Sequence, residues 1–498
     1  MIPVYANPSE LEALAKEKYA IPEFLMMENA AKSIADFILK KALLSFSSSK
    51  DADSMASVVI VCGKGNNGGD GYALARLLQD KLSITVLSIK TPTAEEAKVQ
   101  YEMCLRLGIQ ILSAEKPADF EAFESKCKKA DYIVDCIYGT GFHGELDNDA
   151  AAIINLMNKS KGIKIACDIP SGLAFNADFT LTMGEHKLAL FSDRAKDVCG
   201  EIIVNEIGIS QEKFEEAENT ACEPAAFLLQ HKDITLPLRK NKAAHKGKYG
   251  HTAVLCGDKA GAAILSASAA MNFGSGLTSL VKTADSNLEQ FKISPSLMIS
   301  DKLPSKTTCI ALGSGFTDFS ETAAQILINW FQNTSSPAAV LDAGMLTSPK
   351  TPELLLHLNS FKNARIILTP HLAELSRLLE NSKAEGDISV AALADNPEIK
   401  IKAGSFLNKL FPCTTIIMKS ANTFIASEKK VYIVADGSPS LAKGGSGDIL
   451  AGLSAALLAQ GYSAKDAAIT AAEYHALLSR TIGKQNFNLT PEKLLEKI

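Results

Sequence analysis

The sequence predicts an α/β fold made of two consecutive domains, and three observations lead to this prediction. The chain has 498 residues, which is more than one hydrophobic core usually organises. Short apolar runs alternate with stretches of helical periodicity in both halves, as is typical of βαβ units. A polar, acidic stretch at 211–222, followed by Glu223-Pro224, interrupts the alternation. We therefore place the junction within 211–239, and expect domains at 1–215 and 225–498.

In the first domain, five apolar runs are predicted strands, and helix-like stretches such as 71–81 and 94–107 separate them. Strands that alternate with helices indicate a parallel sheet covered by helices on both faces, which makes three layers. The predicted strands are 58–62, 84–89, 132–136, 163–167 and 202–206.

The second domain repeats this alternation. Its last three predicted strands are closely spaced, which indicates an antiparallel hairpin edge on a mostly parallel sheet. A long helix is predicted at 448–460, after a glycine-rich turn. The predicted strands are 252–256, 278–281, 309–312, 339–342, 365–368, 415–418, 423–426 and 431–435.

The composition excludes several classes of protein. Hydrophobic residues make up 47% and charged residues 21% of the chain, and the net charge of −5 gives no electrostatic footprint for nucleic acid. The ten cysteines are scattered without a C-x-x-C pair, so neither a zinc site nor a disulfide framework is indicated. The sequence has no recognisable signal peptide and no run of about 20 apolar residues. We expect a cytoplasmic protein with no membrane partner.

The first candidate functional motif is the run at 63–71, between a predicted strand and a predicted helix. It reads Gly-Lys-Gly-Asn-Asn-Gly-Gly-Asp-Gly. Its glycines let the backbone approach a ligand closely, and amides at a helix N-terminus suit a phosphate. A tight turn is the alternative reading. Gly63, Gly65 and Gly68 fit the dinucleotide fingerprint nominally, but the Asn-Asn-Gly-Gly-Asp core is the more specific signal.

Two further polar loops, at 137–145 and 168–173, each follow a predicted strand. Ligands of open parallel sheets bind beyond the carboxyl ends of the strands, so the three loops are expected to face one crevice. Taken singly, Asp135 or Asp168 fits a cap or turn residue better than a catalytic one. Their common position favours a shared site.

These loops resemble the NAD(P)H-hydrate epimerase family. The resemblance rests on residues 66–71, 135–144 and 168–172, together with Met-Glu-Asn-Ala at 27–30, and it covers most of residues 1–210. It implies a Rossmann-like fold. It also implies an isomerase that interconverts the epimers of hydrated NADH and NADPH (NADHX and NADPHX).

The resemblance further implies roles for individual residues. A potassium ion would lie among Asn67, Asp135 and Ser171. Inversion at the hemiaminal carbon C6 requires proton transfer, either through loss and return of the hydroxyl or through reversible ring opening, and Asp168 is the candidate acid/base. The hydrated dinucleotide would contact Asn66, Asn67, Gly68, Gly69, Asp70, Gly139, Thr140, Gly141, Phe142, His143, Gly144, Glu145 and Asp168.

The second candidate functional motif is the run at 441–448, which leads into the long predicted helix. Consecutive amides of small residues at a helix start can form an anion hole, here from Gly444, Gly445, Ser446 and Gly447. Asp448 would repel a phosphate. It is better suited to take the proton of a hydroxyl that attacks a phosphoryl group. The alternative is a carboxylate that merely stabilises the helix start.

This run resembles the signature of the ribokinase-like superfamily, and other segments narrow the resemblance to the ADP/ATP-dependent NAD(P)H-hydrate dehydratases, over about residues 225–498. These segments are 245–250, 261–263, 313–315, 341–344, 368–375 and 419–423.

The implied dehydratase contacts fall into two sets. His371, at the end of a strand, fits a purely structural polar residue equally well, and the loop at 258–261 departs from the family pattern next to Ala262. Ala262, Gly315, His371 and Asp448 would contact the hydrated dinucleotide. Lys419, Ser420, Ala421, Asn422, Thr423 and Gly447 would contact ADP or AMP.

The implied reaction is phosphorylation of the C6 hydroxyl followed by elimination of phosphate. Asp448 would act as the base, the glycine-rich amides would stabilise the transferred group, and Mg²⁺ would bridge the phosphates of the nucleotide. By resemblance to fused enzymes, ADP is the expected donor, giving AMP and phosphate. A homo-oligomer is also expected.

Two alternatives remain open at this point. A ribokinase-like kinase of a small molecule would have the same anion hole, although such kinases lack the first domain. In a non-enzymatic reading the first domain is only a nucleotide-binding scaffold, and Asp168 at the crevice argues against it.

Overall fold

The computed structural model describes residues 1–46, 55–142, 144–210, 212–213, 223–284, 286–481 and 486–498. His143 and most of the predicted junction at 211–222 lie outside the described residues. The chain forms two compact units. The N-terminal unit consists of Val4–Leu190 and Arg194–Pro224. The C-terminal unit consists of Met1–Pro3, Phe191–Asp193 and Ala225–Ile498.

The described part of the N-terminal unit contains a seven-stranded sheet in which all neighbours are parallel. The five predicted strands are confirmed to within one residue. The other two were not predicted, because Ile111–Ser113 is too short for a periodic signal and Phe179–Met183 alternates apolar residues with threonine. In spatial order the strands are Ile111–Ser113, Ser83–Ser88, Ser57–Cys62, Tyr132–Cys136, Ile163–Cys167, Phe179–Met183 and Glu201–Asn205.

Helices cover both faces of this sheet, which confirms the α/β class and the Rossmann-like, three-layer arrangement. Successive residues of a strand point to opposite faces. Accordingly, Ile60 and Val134 belong to one buried cluster, while Val59 and Ile133 belong to another. The helices in the first half of the chain are Pro8–Tyr19, Glu23–Phe46, Asn66–Leu78, Glu95–Arg106, Pro117–Cys127, Asn148–Lys159 and Asp193–Val198.

The helix predicted at 71–81 begins five residues earlier, at Asn66–Leu78, so that prediction was wrong about the start. Glycine is a poor helix former, and the glycine run was therefore interpreted as a loop. Close packing explains why glycine is nevertheless needed: a Cβ on Gly68 would lie 2.0 Å from the carbonyl oxygen of Gly63.

The C-terminal unit contains a mostly parallel sheet, and the predicted antiparallel arrangement of 414–418, 423–427 and 430–434 is confirmed. Their position at the edge was predicted wrongly, because Ala226–Leu228 pairs in parallel beyond them. That strand is only three residues long and lies in the stretch interpreted as a junction. In spatial order the strands are Met298–Ser300, Leu277–Lys282, His251–Cys256, Cys309–Leu312, Ala338–Leu341, Arg365–Leu368, Thr414–Met418, Thr423–Ser427, Lys430–Val434 and Ala226–Leu228.

The predicted long helix at 448–460 is observed at Ser446–Ala459. In the part of the chain that is described, no helix is both long and apolar enough to cross a membrane. The helices of this unit are Ala260–Asn272, Glu321–Gln332, Thr351–Asn359, Leu372–Asn381, Val390–Asp395, Pro397–Leu410, Ser446–Ala459, Ala464–Thr481 and Pro491–Leu495.

Helix Ser446–Ala459 packs directly on Ala260–Asn272 through Gly452, where a Cβ would lie 2.1 Å from the backbone oxygen of Ser266. We predict that Gly452→Ala lowers the free energy of unfolding of this unit by about 1–3 kcal/mol, because the helices must move apart. Denaturant-induced unfolding measures this change.

Gly261→Ala, on the partner helix, is the matched control. Its Cβ would make an ordinary contact at 3.5 Å with Phe291, so we expect a change of less than about 1 kcal/mol. Equal effects of the two substitutions would show that close helix contact is not the reason for glycine at 452.

Candidate active sites

A cavity of about 590 Å³ in the N-terminal unit brings together the three loops that follow strands. Asn66, Asn67 and Asp70 line it from the first loop, residues 139–142 from the second, and Asp168 from the third. Sequence reasoning missed several other lining residues, which come from the first two helices, from the end of strand Phe179–Met183 and from the segment after strand Glu201–Asn205. They are Glu12, Glu23, Met26, Met27, Ala30, Met183 and Ile207.

Four predicted contact residues do not line this cavity. Gly68 and Gly69 are buried behind it, and a Cβ on Gly69 would lie 2.5 Å from Cε of Met27. Gly144 and Glu145 are exposed. The two buried glycines thus have a packing role that is sufficient to explain them.

Asp168 follows the carboxyl end of strand Ile163–Cys167 and has a strained backbone conformation. Its φ is +72°, in the left-handed region that non-glycine residues rarely adopt. The backbone N–H of Asp168 donates to the carbonyl of Leu181 at 2.8 Å, and its Oδ1 accepts from the N–H of Met183 at 3.3 Å. Strain of this kind is retained where the surroundings fix the geometry, and it directs the carboxylate to the cavity.

Lys187 forms an ion pair with Asp168 and was not predicted. Its side chain is 2% exposed, against 13% for Asp168. Its Nζ also donates to the carbonyl of Met183 at 3.2 Å and lies 3.9 Å from the Glu185 carboxylate. A short parallel pairing with Tyr5 positions Lys187. Burial lowers the pKa of Lys187, but the carboxylates of Asp168 and Glu185 outweigh this and raise it.

Two further carboxyl groups that line the cavity have raised pKa values. Burial, reinforced by the charge of Asp168, raises the pKa of Asp70 well above its ordinary value. Burial also raises the pKa of Glu12, although Lys187 opposes the rise. The cavity therefore holds the ion-paired carboxylate of Asp168 beside two carboxyls with raised pKa values, and acid–base sites often combine carboxyls in such different environments.

Asp135 and Ser171, two of the three predicted potassium ligands, are in direct contact. The Asp135 carboxylate accepts from the hydroxyl of Ser171 at 2.6 Å, from its N–H at 2.8 Å and from the N–H of Ile137 at 3.1 Å. Burial raises the pKa of Asp135 to about 6, against these hydrogen bonds. The third residue, Asn67, has a buried amide for which the described residues offer no hydrogen-bond partner. An oxygen-only set of this kind suits a hard cation.

In the C-terminal unit, Asp342 and Lys419 follow the carboxyl ends of two parallel strands, Ala338–Leu341 and Thr414–Met418, which lie on either side of strand Arg365–Leu368. Lys419 Nζ donates to Asp342 Oδ1 at 3.0 Å. It also lies 3.2 Å from where a Cβ on Gly447 would stand. The ammonium therefore lies against the predicted anion hole. Burial lowers the pKa of Lys419, but Asp342 and Glu374 outweigh this and raise it.

Asp448 lies in the first turn of helix Ser446–Ala459. Burial and the charge of Asp342 raise its pKa to about 6, and the Ser314 hydroxyl and the Lys419 ammonium oppose the rise. The N-cap residue of this helix is Gly445, which has a φ of +93° and no side chain to cap the first turn. First-turn amides have no acceptor within the helix. The arrangement thus combines a proton acceptor, a lysine and available amides.

His371 caps helix Leu372–Asn381. Its Nδ1 accepts from the N–H groups of Ala373 at 3.1 Å and Glu374 at 3.3 Å. Burial, with Lys419, lowers the pKa of His371. Because Nδ1 is an acceptor, the neutral ring carries its hydrogen on Nε2, which lies 3.2 Å from the Glu374 carboxylate. His371 thus has a structural role as a helix cap. Its side chain is 55% exposed, so the ring can also contact a ligand.

The predicted nucleotide-contacting turn, residues 419–423, is held by its own side chains. The Asn422 amide is 1% exposed and donates to the carbonyls of Phe191 and Ser192 at 3.1 and 3.2 Å. The Ser420 hydroxyl accepts from Lys400 at 2.7 Å. These two side chains stabilise the turn, and Ala421 between them is exposed.

Gly315 and Ala262 are linked through Lys259, the residue before helix Ala260–Asn272. The N–H of Lys259 donates to the carbonyl of Gly315 at 2.8 Å, and the N–H of Ala262 donates to that of Lys259 at 3.1 Å. Gly315 has a φ of +85°, and a Cβ there would lie 2.4 Å from the Lys259 oxygen. Glycine at 315 thus lets its loop approach the start of the helix.

His475 is a further residue at the anion hole that the sequence did not indicate. Its Nε2 lies 3.2 Å from the Ser446 hydroxyl. Burial, with Lys419, lowers the pKa of His475 to about 4, so the ring is neutral. It lies on the largely apolar helix Ala464–Thr481, where periodicity gives no signal for a polar contact.

Comparison with known proteins gives matches to both halves. A family profile described as "YjeF-related protein N-terminus" matches residues 23–189, and one described as "NAD(P)H-hydrate dehydratase" matches residues 252–498. The "Bifunctional NAD(P)H-hydrate repair enzyme Nnr" of Helicobacter pylori is 36% identical, over 100% of this chain and 99% of the relative. The protein of the same name from Moorella thermoacetica is 28% identical, over 96% and 92%.

Among solved structures, an ADP/ATP-dependent NAD(P)H-hydrate dehydratase from Bacillus subtilis, co-crystallised with ATP/Mg²⁺, is 25% identical. The match covers 53% of this chain and 93% of that chain, with a TM-score of 0.44.

Proposed function

This chain belongs to the family of bifunctional NAD(P)H-hydrate repair enzymes, and from this premise we propose that it restores hydrated NADH and NADPH at two separate sites. The N-terminal unit interconverts the R and S epimers. The C-terminal unit dehydrates the S epimer with a nucleotide as co-substrate. The observation that carries the proposal is the presence in one chain of an acid–base cavity and of a glycine-rich anion hole with its own carboxylate. The match to a repair enzyme over the full length disfavours a small-molecule kinase.

At the first site, Asp168 moves the proton that inversion at C6 requires. In the dehydration route, the departing oxygen takes a proton and leaves as water while the N1 electron pair forms the N1–C6 double bond. A water then adds to the opposite face and releases a proton. In the ring-opening route, the hydroxyl loses its proton, the C6–O bond becomes a carbonyl and the C6–N1 bond breaks, and closure on the other face reverses these changes. In both routes Asp168 is the group placed to move the proton.

At the second site, Asp448 takes the proton of the C6 hydroxyl, whose oxygen then forms a bond to the terminal phosphorus of the nucleotide. The bond from that phosphorus to the remaining nucleotide breaks. Phosphate next leaves C6 with the electron pair of the C–O bond, and a proton leaves C5, so that the C5–C6 double bond is restored. Lys419 and the first-turn amides stabilise the charge of the transferred group. We propose ADP as the donor, with AMP and phosphate as products.

Nucleotide and Mg²⁺ are the expected co-substrate and cofactor of this unit. Within the described ranges, no group of three or more His, Cys, Asp and Glu side chains could hold a metal. Mg²⁺ usually binds through substrate phosphates rather than in an all-protein cage. When bound, it neutralises the phosphate charge.

For the N-terminal unit we propose K⁺, held by Asn67, Asp135 and Ser171. The buried amide of Asn67 and the fully buried carboxylate of Asp135 support this set, since both lack a charged partner among the residues described. When bound, the ion supplies positive charge near the substrate. Several expectations stay predictions. They are the remaining predicted contacts, the assignment of activities to 1–215 and 225–498, the homo-oligomer and the cytoplasmic location.

The proposal is tested by mixing the protein with both epimers of hydrated NADH, Mg²⁺ and either ADP or ATP, and following the absorbance of the reduced nicotinamide. We expect complete recovery from the epimer mixture, with ADP more effective than ATP. If reduced cofactor forms from the S epimer only, the chain is not an epimerase. No recovery under any combination would contradict the whole proposal.

A pH dependence follows from the environment of Asp448. Burial raises its pKa to about 6, and a base works only when it is deprotonated. We therefore predict that kcat/KM for dehydration of the S epimer rises with pH through about 6 and is lost below it. A pH–rate profile measures the midpoint. A midpoint near 4, where an ordinary aspartate titrates, would contradict the proposed environment of Asp448.

A further inference from the structure

Lys187 is a buried cation beside the N-terminal cavity that the proposed chemistry does not yet use. Its side chain is 2% exposed and is paired with the carboxylate of Asp168, which lines the cavity. Its Nζ also donates to the carbonyl of Met183 at 3.2 Å and lies 3.9 Å from the carboxylate of Glu185. A buried ammonium is costly to desolvate unless it is paired. A buried lysine beside the proposed catalytic carboxylate is therefore expected to have a functional role.

The groups around this ion pair explain what Lys187 contributes. Helix Pro8–Tyr19 contributes Glu12, and helix Asn66–Leu78 contributes Asp70, both carboxyls of the same cavity. A third carboxyl without a compensating cation would be ionised with difficulty, because like charges repel strongly away from water. The titratable and charged groups that face the pair are Glu12, Glu23, Lys64, Asp70, Cys167 and Glu185.

Building on the proposed epimerase function, we propose that Lys187 is a positioning residue that keeps the Asp168 carboxylate ionised and directed into the cavity. An ionised Asp168 accepts a proton before it donates one, which favours the ring-opening route. The hydroxyl proton passes to Asp168, the C6–O bond becomes a carbonyl, and the electron pair of the C6–N1 bond goes to N1. Ring closure on the other face restores the C6–N1 bond, and the proton returns from Asp168 to oxygen.

The test is the epimerisation kinetics of Lys187→Met. We expect kcat to fall on the order of 100-fold with little change in KM, because the variant binds substrate but lacks a properly ionised acceptor. The acidic limb of the pH–rate profile should move to higher pH. Lys187→Arg keeps the positive charge and should restore the wild-type limb and part of kcat.

Two controls separate this role from a purely structural one. Lys164→Met removes a partly buried lysine of the same unit, which is paired with Asp178 at 3.8 Å, and epimerisation should be unchanged. Denaturant-induced unfolding of the same protein reports on folding of the N-terminal unit. If Lys187→Met does not fold, Lys187→Gln, which retains a polar side chain, is compared with Lys187→Arg instead.

The inference is overturned if Lys187→Met or Lys187→Gln keeps the wild-type kcat and pH profile, or if Lys187→Arg is as impaired as they are with an unshifted acidic limb. Absence of epimerisation in the wild-type protein is a different outcome, since it contradicts the proposed function itself.

Discussion

Asp448→Asn is expected to lower kcat for dehydration of the S epimer by about 10²- to 10⁴-fold, the usual contribution of a general base. Asparagine keeps the size and a carbonyl oxygen but cannot take the proton of the C6 hydroxyl. Lys419 and the first-turn amides remain, so binding of ADP should change little. Single-turnover absorbance measurements on the S epimer with ADP and Mg²⁺ give kcat, and loss of the R epimer in the same protein should proceed normally.

Asp466→Asn is the control that distinguishes catalysis from helix stabilisation. Asp466 also lies in the first turn of a helix of this unit, Ala464–Thr481, and accepts from the Ser463 hydroxyl at 2.7 Å. A carboxylate that only favours the helix dipole contributes about 0.3–1 kcal/mol, so both variants would then lose a little stability and neither would lose activity. Intact dehydration in Asp448→Asn would show that the proposed base is wrong.

Asp168→Asn is expected to lower kcat for epimerisation by about 10²- to 10⁴-fold, because the group that moves the proton is lost. Asparagine tolerates the left-handed backbone that Asp168 adopts at φ +72°, so the local fold should persist. Dehydration of the S epimer should remain at the wild-type rate. Exchange between the two epimers, followed by chromatography without nucleotide, measures the effect.

Asp178→Asn is the matched control for this substitution. Asp178 accepts from the backbone N–H of Lys164 at 2.8 Å, away from the cavity residues, and its side chain is 50% exposed. We expect normal epimerisation. If Asp168→Asn epimerises as fast as Asp178→Asn, Asp168 is not the acid/base of this reaction.

The architecture of both units could be predicted because its signals are local. Strands such as Tyr132–Cys136 and Arg365–Leu368 are short, mostly apolar runs, and they were predicted with the bounds that the structure gives. The helices that start at Asn66 and Ser446 were predicted to start later in the chain. Glycine is a poor helix former, so a glycine-rich run predicts a loop, although close packing in the folded chain requires glycine there.

The residues that complete each site were harder to predict, because they are distant in sequence. Lys187 lies on a two-residue strand, and Glu12 lies on a helix that precedes every motif. His475 lies on a mostly apolar helix and meets Ser446 only in the folded chain. No periodicity or motif marks such residues. Conversely, Asn422 was assigned to the nucleotide by resemblance, while its side chain is taken up by backbone carbonyls.

The central claim is that one chain holds two independent sites, with Asp168 serving one and Asp448 serving the other. The most direct test starts from the pure R epimer and uses the Asp168→Asn and Asp448→Asn proteins separately and mixed, with ADP and Mg²⁺. Asp448→Asn alone should restore almost none of the reduced cofactor, and Asp168→Asn alone should restore it only slowly, at the rate at which the epimers interconvert without an efficient epimerase. The mixture should restore it, because the epimerised substrate can diffuse from one protein to the other. If the mixture recovers no more than the separate variants do, the two residues do not serve separable steps and the account is wrong.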